Sequence, residues 1–393
     1  VTRTARATLV RGASLLGVPV LLAGCSLVAV PSQPTLSGPS FAPPGDIAYA
    51  VCPDAVTPVE LSSSLAEANI PLRVKGTPGI GNASIATSPD GRWAYVVTTE
   101  GEPSGSRPAS PVPVTTGVAP VPAGPSGHNV VIPVNLVTQQ AGRPIDIPGS
   151  GPTHGIVVLP GGRTAIAASG TSLVPVDLTR DRAGTPLDLG AGHTVFGMAL
   201  NPAGTTLYVL VAGGVIPVNT VAATAGAPIV TGLSVSSVYS PHGIAVAPGD
   251  ATVYVIGQGG PDYGGRVIPI TASTGALQPA ASFDRYGIAD PAAVAVSPDG
   301  TTLYVVDAAD NWVLPLPVAS FASPPPPVRL PVQTNGSGGT QHPSDIVIAP
   351  GGVTAYIVDG FADLVPFTLA SQSFGSPIPV CSGASSVAIA PAP

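Results

Sequence analysis

Short apolar runs alternate with tight polar turns along this chain, and one arrangement of the two recurs from end to end. Its clearest copy is VAVSPDGTTLYVVDAADNWVLPLPVAS, from Val294 to Ser320. It reads as a strand (VAVS), a turn over Ser297-Pro298-Asp299-Gly300, a second strand (TTLYVVD), a polar loop and a third strand (WVLPLPV). The first strand with its turn returns at Ile85, Ile156, Met198, Ile244, Val294 and Ile346, and a truncated copy starts at Val387. An independent marker, a proline inside a short apolar run, returns at Val56, Val131, Leu173, Val215, Val267, Val313 and Leu364. Each marker occurs seven times. Periods of about 40–50 residues holding several short strands are the signature of propeller blades.

The ends complete one another. The N-terminal region has a second strand (Ile47 to Val51) and a third (Val56 to Leu61) but no first strand, while the C-terminus has a first strand, Val387 to Ala390, and nothing after it. The expectation is an all-β, seven-bladed propeller, closed by the C-terminal strand pairing into the N-terminal blade. The strands are nearly all Val, Ile, Ala, Leu and Tyr with weak alternation, as expected where both sheet faces are covered. Proline cannot donate to a ladder, so its recurrence in third strands predicts a bulge or an unpaired position.

Tyr95-Val96-Val97-Thr98, Tyr208-Val209-Leu210-Val211, Tyr254-Val255-Ile256-Gly257, Tyr304-Val305-Val306-Asp307 and Tyr356-Ile357-Val358-Asp359 each follow an SPDG-like turn. In this the chain, from Asp46 to Pro391, resembles the YVTN-repeat family of β-propellers, whose shape is shared by lactonase-like and surface-layer proteins. It departs from the family in the third strand, where V-x-V-I-D becomes apolar-Pro-apolar, and in the blade at Ile156, whose second strand lacks the tyrosine. The motif specifies fold far more than function. WD-repeat and kelch signatures are absent. The two tryptophans, Trp93 and Trp312, do not match the Trp-rich blades of quinone-dependent dehydrogenases.

Residues 1–24 carry Arg3, Arg6 and Arg11, then an apolar run from Ala13 to Leu22, and Leu22-Ala23-Gly24 precede Cys25. This order reads as an export signal, with an apolar run too short for a stable membrane span. Its ending resembles the lipobox of bacterial lipoproteins, which implies cleavage before Cys25 and acylation of that residue. Val1 in place of methionine reads as an alternative start codon. Lys75 is the lone lysine among 14 basic residues, and with abundant Ala, Gly and Pro it points to a high-GC Gram-positive bacterium. Residues 25–45 form a Pro/Ser/Gly-rich tether and 46–393 the propeller, interrupted by a low-complexity insertion over 101–127. The insertion reads as a tolerated surface segment, with a docking arm or lid as the other reading. The expected location is the outer face of the cytoplasmic membrane, with the bilayer as partner through Cys25.

Two further cysteines, Cys52 and Cys381, stand at the end of the second strand of the first blade and just before the closing strand. In an exported chain they read as a disulfide stapling the ends of the ring; the alternative is two thiols too far apart to bridge. The net charge of −7, charged residues at 9% and dispersed arginines give no footprint for nucleic acid or anionic lipid.

Loops leading into the first strands and loops between second and third strands open on one face, around the channel. They hold all five histidines: His154 and His242 at equivalent positions, His193 and His342 further back in their own loops, and His128 at the end of the insertion. Asp290 and Asp345 share that face, with Glu100, Glu102, Asp262, Asp307, Asp310, Asp359 and Asp363. His154, His193, His242, His342, Asp290 and Asp345 are the candidate ligand residues of the channel mouth. Imidazole and carboxylate can hold a metal or a small polar ligand. The chain has no spaced metal motif, so no cofactor is assigned, a metal at the mouth staying as an alternative. There is no G-x-S-x-G and no S-x-x-K. Arg285 and Arg329 could bring charge to the rim, without a spacing that picks them out. The reading is an envelope-anchored binding scaffold for a protein, glycan or small ligand. The alternative is a lactonase-like hydrolase or lyase with a His/Asp or metal site at the mouth.

Overall fold

The computed structural model describes residues 46–72, 83–100, 128–149, 151–234, 243–259, 264–288, 290–321, 325–331, 342–360 and 362–391. The leader, the tether, Cys25, His242 and the insertion lie outside them. Seven antiparallel sheets follow in chain order. The first strands, innermost in the ring, are Ser84–Thr87, Ile156–Val158, Val195–Leu200, Ile244–Val246, Pro291–Val296, Asp345–Ile348 and Ser386–Ala390. Each touches the first strands of both neighbouring blades, and the circle is complete. The last of them pairs with Ile47–Val51, from Ile47↔Ala390 to Val51↔Ser386, which closes the ring as the sequence predicts. Blade 1 is thus built from both ends of the propeller, and blades 2 to 7 follow in order.

Apolar residues collect between blades. Tyr95, Val97 and Val131 of blade 2 pack on Ile156, Ala167 and Val174 of blade 3, and six further clusters fill the other interfaces in the same way. A blade buries both faces, so its strands need no polar side and the alternation is lost.

The third-strand prolines find their explanation in an outer strand that the repeat pattern did not reveal. In five blades this outer strand is two short pieces, such as Arg182–Ala183 and Leu187–Asp188, both paired with Ser172–Asp177, and in blades 5 and 6 the described residues give one piece. Between them Gly184 N donates to the Pro175 carbonyl at 2.7 Å, as Gly142 N does to Pro133 and Gly226 N to Pro217. In an antiparallel strand the N and the C=O of one residue face the same neighbour. The donor that proline lacks therefore faces the break in the outer strand, and no central ladder bond is lost. The glycine makes room for the ring: a Cβ at Gly142 would lie 3.0 Å from the Pro133 Cγ.

At the opposite end the turns also form a ring. Pro89, Pro160, Pro202, Pro248, Pro298, Pro350 and Pro391 all stand exposed, one per blade. In blades 2, 3, 4, 6 and 7 the turn glycine lies against the proline of the preceding blade: a Cβ on Gly300 (φ 72°) would sit 3.7 Å from Pro248. Blade 5 is the exception. There Asp250 takes the left-handed position (φ 58°), and its carboxylate accepts from Asn201 Nδ2 of the preceding turn at 2.8 Å.

Candidate functional site

Register places the polar loops. The start of each first strand lies beside the end of the second, as in Ser386↔Val51, Ile156↔Ala167 and Asp345↔Val358. The loops into first strands and those between second and third strands therefore share one end of the ring. The candidate residues on this face fall into three separate groups.

The first group spans blades 6 and 7. Asp307 ends its second strand and is 1% exposed; Oδ1 accepts from Asp290 N at 2.9 Å and Oδ2 from Asp310 N at 3.2 Å. Burial pushes its carboxyl up to about 6, the two backbone N–H groups pull against that, and Asp310 and Asp290 push further. Burial also raises Asp290, with His342 pulling the other way. Of the six candidate ligand residues, the structure brings Asp290 and His342 together. His342 Nδ1 lies 3.1 Å from the Ala308 carbonyl. Asp359 repeats the device of Asp307 one blade on, accepting from Ala362 N and Asp363 N. Burial first, and then Asp359, raises Asp363.

A second group sits on the seam where the ring closes. Asp345 is 3% exposed, and its Oδ2 accepts from Ser386 Oγ at 3.0 Å and Val387 N at 2.9 Å. It ties blade 7 to the closing strand. Ser385 Oγ donates to the Ala83 carbonyl at 2.9 Å, and Thr87 Oγ1 to the Ile389 carbonyl at 3.0 Å, from the blade 2 side. Cys52 and Cys381 form the expected disulfide across this seam, their Cα atoms 6.0 Å apart.

The third group lies over blades 2 to 4. His154 is buried and its ring is 6.0 Å from that of Phe196, the equivalent position in the next blade. His193 Nδ1 is 2.6 Å from the Leu189 carbonyl. At the base of the insertion His128 Nε2 lies 3.3 Å from both Glu100 and Asp146. Asn129, fully buried, accepts from Thr99 Oγ1 at 2.8 Å and donates to Gly151 O at 3.0 Å and Ser169 Oγ at 2.8 Å, joining blades 2 and 3. Sequence reasoning missed Asn129, although a polar residue heading the apolar run NVVIPV was a signal. Asn129→Ala strands two hydroxyls and a carbonyl and should lower the unfolding free energy by about 2 kcal/mol in urea titration.

Arg329 lies over the Trp312 ring at 5.7 Å, and Arg285 lies in a short 3-10 turn, its side chain outside the described residues. Among the described residues no group of three or more His, Cys, Asp or Glu side chains is placed to hold a metal ion. The two best-formed hollows, about 560 and 440 Å³, lie away from the mouth. One is on the outer edge of blade 3 (Pro175, Asp177, Arg180, Arg182) and the other between blades 5 and 6 (Tyr254, Pro269, Phe321).

With this geometry the class is a seven-bladed β-propeller. No family model matches the chain, and no curated protein matches it in sequence. Solved structures do resemble it. The hydrazine synthase of Kuenenia stuttgartiensis superposes with a TM-score of 0.58 at 17% identity, covering 80% of this chain and 90% of that one. A functionally unknown protein from Desulfotomaculum acetoxidans DSM 771 does so with a TM-score of 0.58 at 12% identity, covering 88% and 100%. At these identities the likeness is one of fold.

Proposed function

We propose that this protein is a lipid-anchored, extracytoplasmic propeller of the YVTN-repeat type that binds a protein, glycan or small ligand through the loop face around its channel. One observation carries the preference for binding over catalysis. The rim's polar side chains are engaged in holding their own loops: Asp307 and Asp359 close turns, Asp345 ties the seam, and His193 and His342 lie against backbone carbonyls. A general base or metal ligand needs a free nitrogen or oxygen aimed at a common point. Support for export comes from the leader ending in Leu22-Ala23-Gly24-Cys25 and from the disulfide, which belongs to oxidising compartments.

The lactonase-like alternative has one feature in its favour, the raised Asp307 beside Asp290. Both Asp307 oxygens face backbone N–H groups, which is the geometry of a turn.

Native mass spectrometry with elemental analysis on the purified chain, made without a His-tag, tests the reading. Wild type and the His154→Ala/His242→Ala variant should show the same metal content and the same ligand occupancy. A stoichiometric metal or ligand that the double variant loses would replace the scaffold reading with a channel-mouth site.

A further inference from the structure

We infer that the outer wall of blades 4, 5 and 6 is an interface for a second copy of this chain, with a two-fold axis running parallel to the channel past blade 5. The inference stands apart from the ligand and the lipid anchor proposed above.

The wall is set off first by charge. No Asp, Glu, Lys or Arg occurs from Leu189 to Gly249 or from Val267 to Phe283. Between these stretches, Asp250 lies in the inner turn bonded to Asn201, and Arg266 reaches the Gly259 carbonyl and Asp284 at the loop end. Asp262 lies outside the described residues. The outer edges of blades 1 to 3 differ: they carry Glu60 and Glu67, then Arg143 and Asp146, then Asp177, Arg180 and Arg182. Blade 7 is free of charge from Leu364 onward, but Ser371, Gln372, Ser373 and Ser376 make its edge polar.

The second feature is an unbroken apolar surface. Segments 221–230 of blade 4, 273–280 of blade 5 and 318–321 of blade 6 are exposed or half-buried throughout. Blades 4 and 5 touch there, since a Cβ on Gly275 would lie 3.2 Å from the Ile229 Cδ1. Blades 5 and 6 meet in the hollow of about 440 Å³ lined by Pro269, Pro279, Val318 and Phe321. Val221, Val230 and Leu277 project from the wall, 83%, 73% and 46% exposed, whereas Leu65, Val137 and Val353 are spread over blades 1, 2 and 7. Gathered apolar side chains without charge mark a protein contact, and the three segments supply the roughly 20–30 residues that a standard interface takes from each side.

Two facts select a second copy as the partner. The projection and the hollow flank blade 5 on opposite sides, and both sit at the turn end. Val221 follows the third-strand end Asn219, while in the hollow Thr252 opens a second strand and Val318 follows a third. A two-fold axis parallel to the channel keeps the turn ends level and exchanges the two sides. Val221 of each copy then meets the hollow of the other, and Leu277 lies near the axis facing its own counterpart. The other fact is the net charge of −7, which sets copies against one another, so an uncharged wall is where two can close without pairing like charges. Side chains make the contact, because the edge pieces Thr224–Ala225 and Ile229–Val230 are too short to add a strand.

Photo-crosslinking tests this on the full chain expressed with its own leader. Benzoylphenylalanine in place of Val221, illuminated before any solubilisation, should give a band of twice the chain mass, with the bond mapped to Val318–Phe321 of the second copy. The same group in place of Val137, equally exposed on blade 2, should give at least fivefold less of it. Adding Val230→Asp and Leu277→Asp should lower the yield from position 221 at least fivefold, with the fold of the purified variant checked by circular dichroism. No dimer band, equal yield from position 137, or an unchanged double-aspartate variant would overturn the inference. So would a bond mapped elsewhere on the second copy or to a different protein. A chain released into the medium is illuminated there, so failure of the anchor reading leaves this test intact.

Discussion

Replacing Cys52 and Cys381 together by serine should lower the unfolding free energy by about 5 kcal/mol. The bond joins residues with a sequence separation of 329, so it removes a very large loop from the unfolded ensemble. Loop-closure entropy assigns such a span about 5 kcal/mol. The ring should still close in the serine variant, because five ladder positions hold Ser386–Ala390 against Ile47–Val51 and Asp345 holds it from blade 7. The expected result in urea is a lower midpoint with a native far-ultraviolet spectrum before the transition. A loss below about 1 kcal/mol would mean that the closing strand is secured by ladder and carboxylate alone. Asp345→Ala in the serine background separates the two, since it leaves the Ser386 hydroxyl and the Val387 N–H buried without their acceptor.

Stability should rise as the pH is lowered from 7.5 towards 5, which is the reverse of ordinary acid sensitivity. Asp307 has a folded-state value of about 6 against an ordinary 3.8. Between these values the native chain holds a proton that the unfolded chain releases. Stability from this group is therefore fully present below about 4 and is lost as the pH rises through 6. The full swing corresponds to about 3 kcal/mol, with roughly half of it above pH 5. Asp290 and Asp363, also raised, act in the same direction. The exposed carboxylates of Asp90, Asp177 and Asp299 are lowered by hydrogen bonds within their turns, and their stabilisation is lost as the pH falls through their depressed values. A maximum near pH 5 follows. Urea midpoints across this range for wild type and Asp307→Asn provide the check: the variant should show a flatter dependence between pH 5 and 7.5. An identical slope in both would show that Asp307 does not carry the effect.

Blade number and ring closure were legible in the sequence because both depend on patterns that repeat locally, a turn glycine after each first strand and a proline in each third. The outer strand escaped because its paired pieces are only two or three residues long, too short for periodicity to show. Its signal was a short motif instead: Ala-Gly-Arg-Pro-Ile at 141–145, Ala-Gly-Thr-Pro-Leu at 183–187 and Ala-Gly-Ala-Pro-Ile at 225–229. Dispersal of the candidate residues was not legible. Residue types and loop positions could be read, but partners such as Ala308 O for His342 or Ser386 for Asp345 are remote in sequence. An aspartate that closes a turn and one that binds a ligand look alike until those partners are known.

The broken outer strand has a consequence for crowding. A propeller turns seven sheet edges sideways, and unbroken edges would invite lateral zippering between copies that meet. In blades 2, 3, 4 and 7 the edge is interrupted at a glycine–proline step, so the pieces on offer are as short as Arg182–Ala183 and Thr224–Ala225. A neighbouring copy finds too few consecutive donors and acceptors to add a strand.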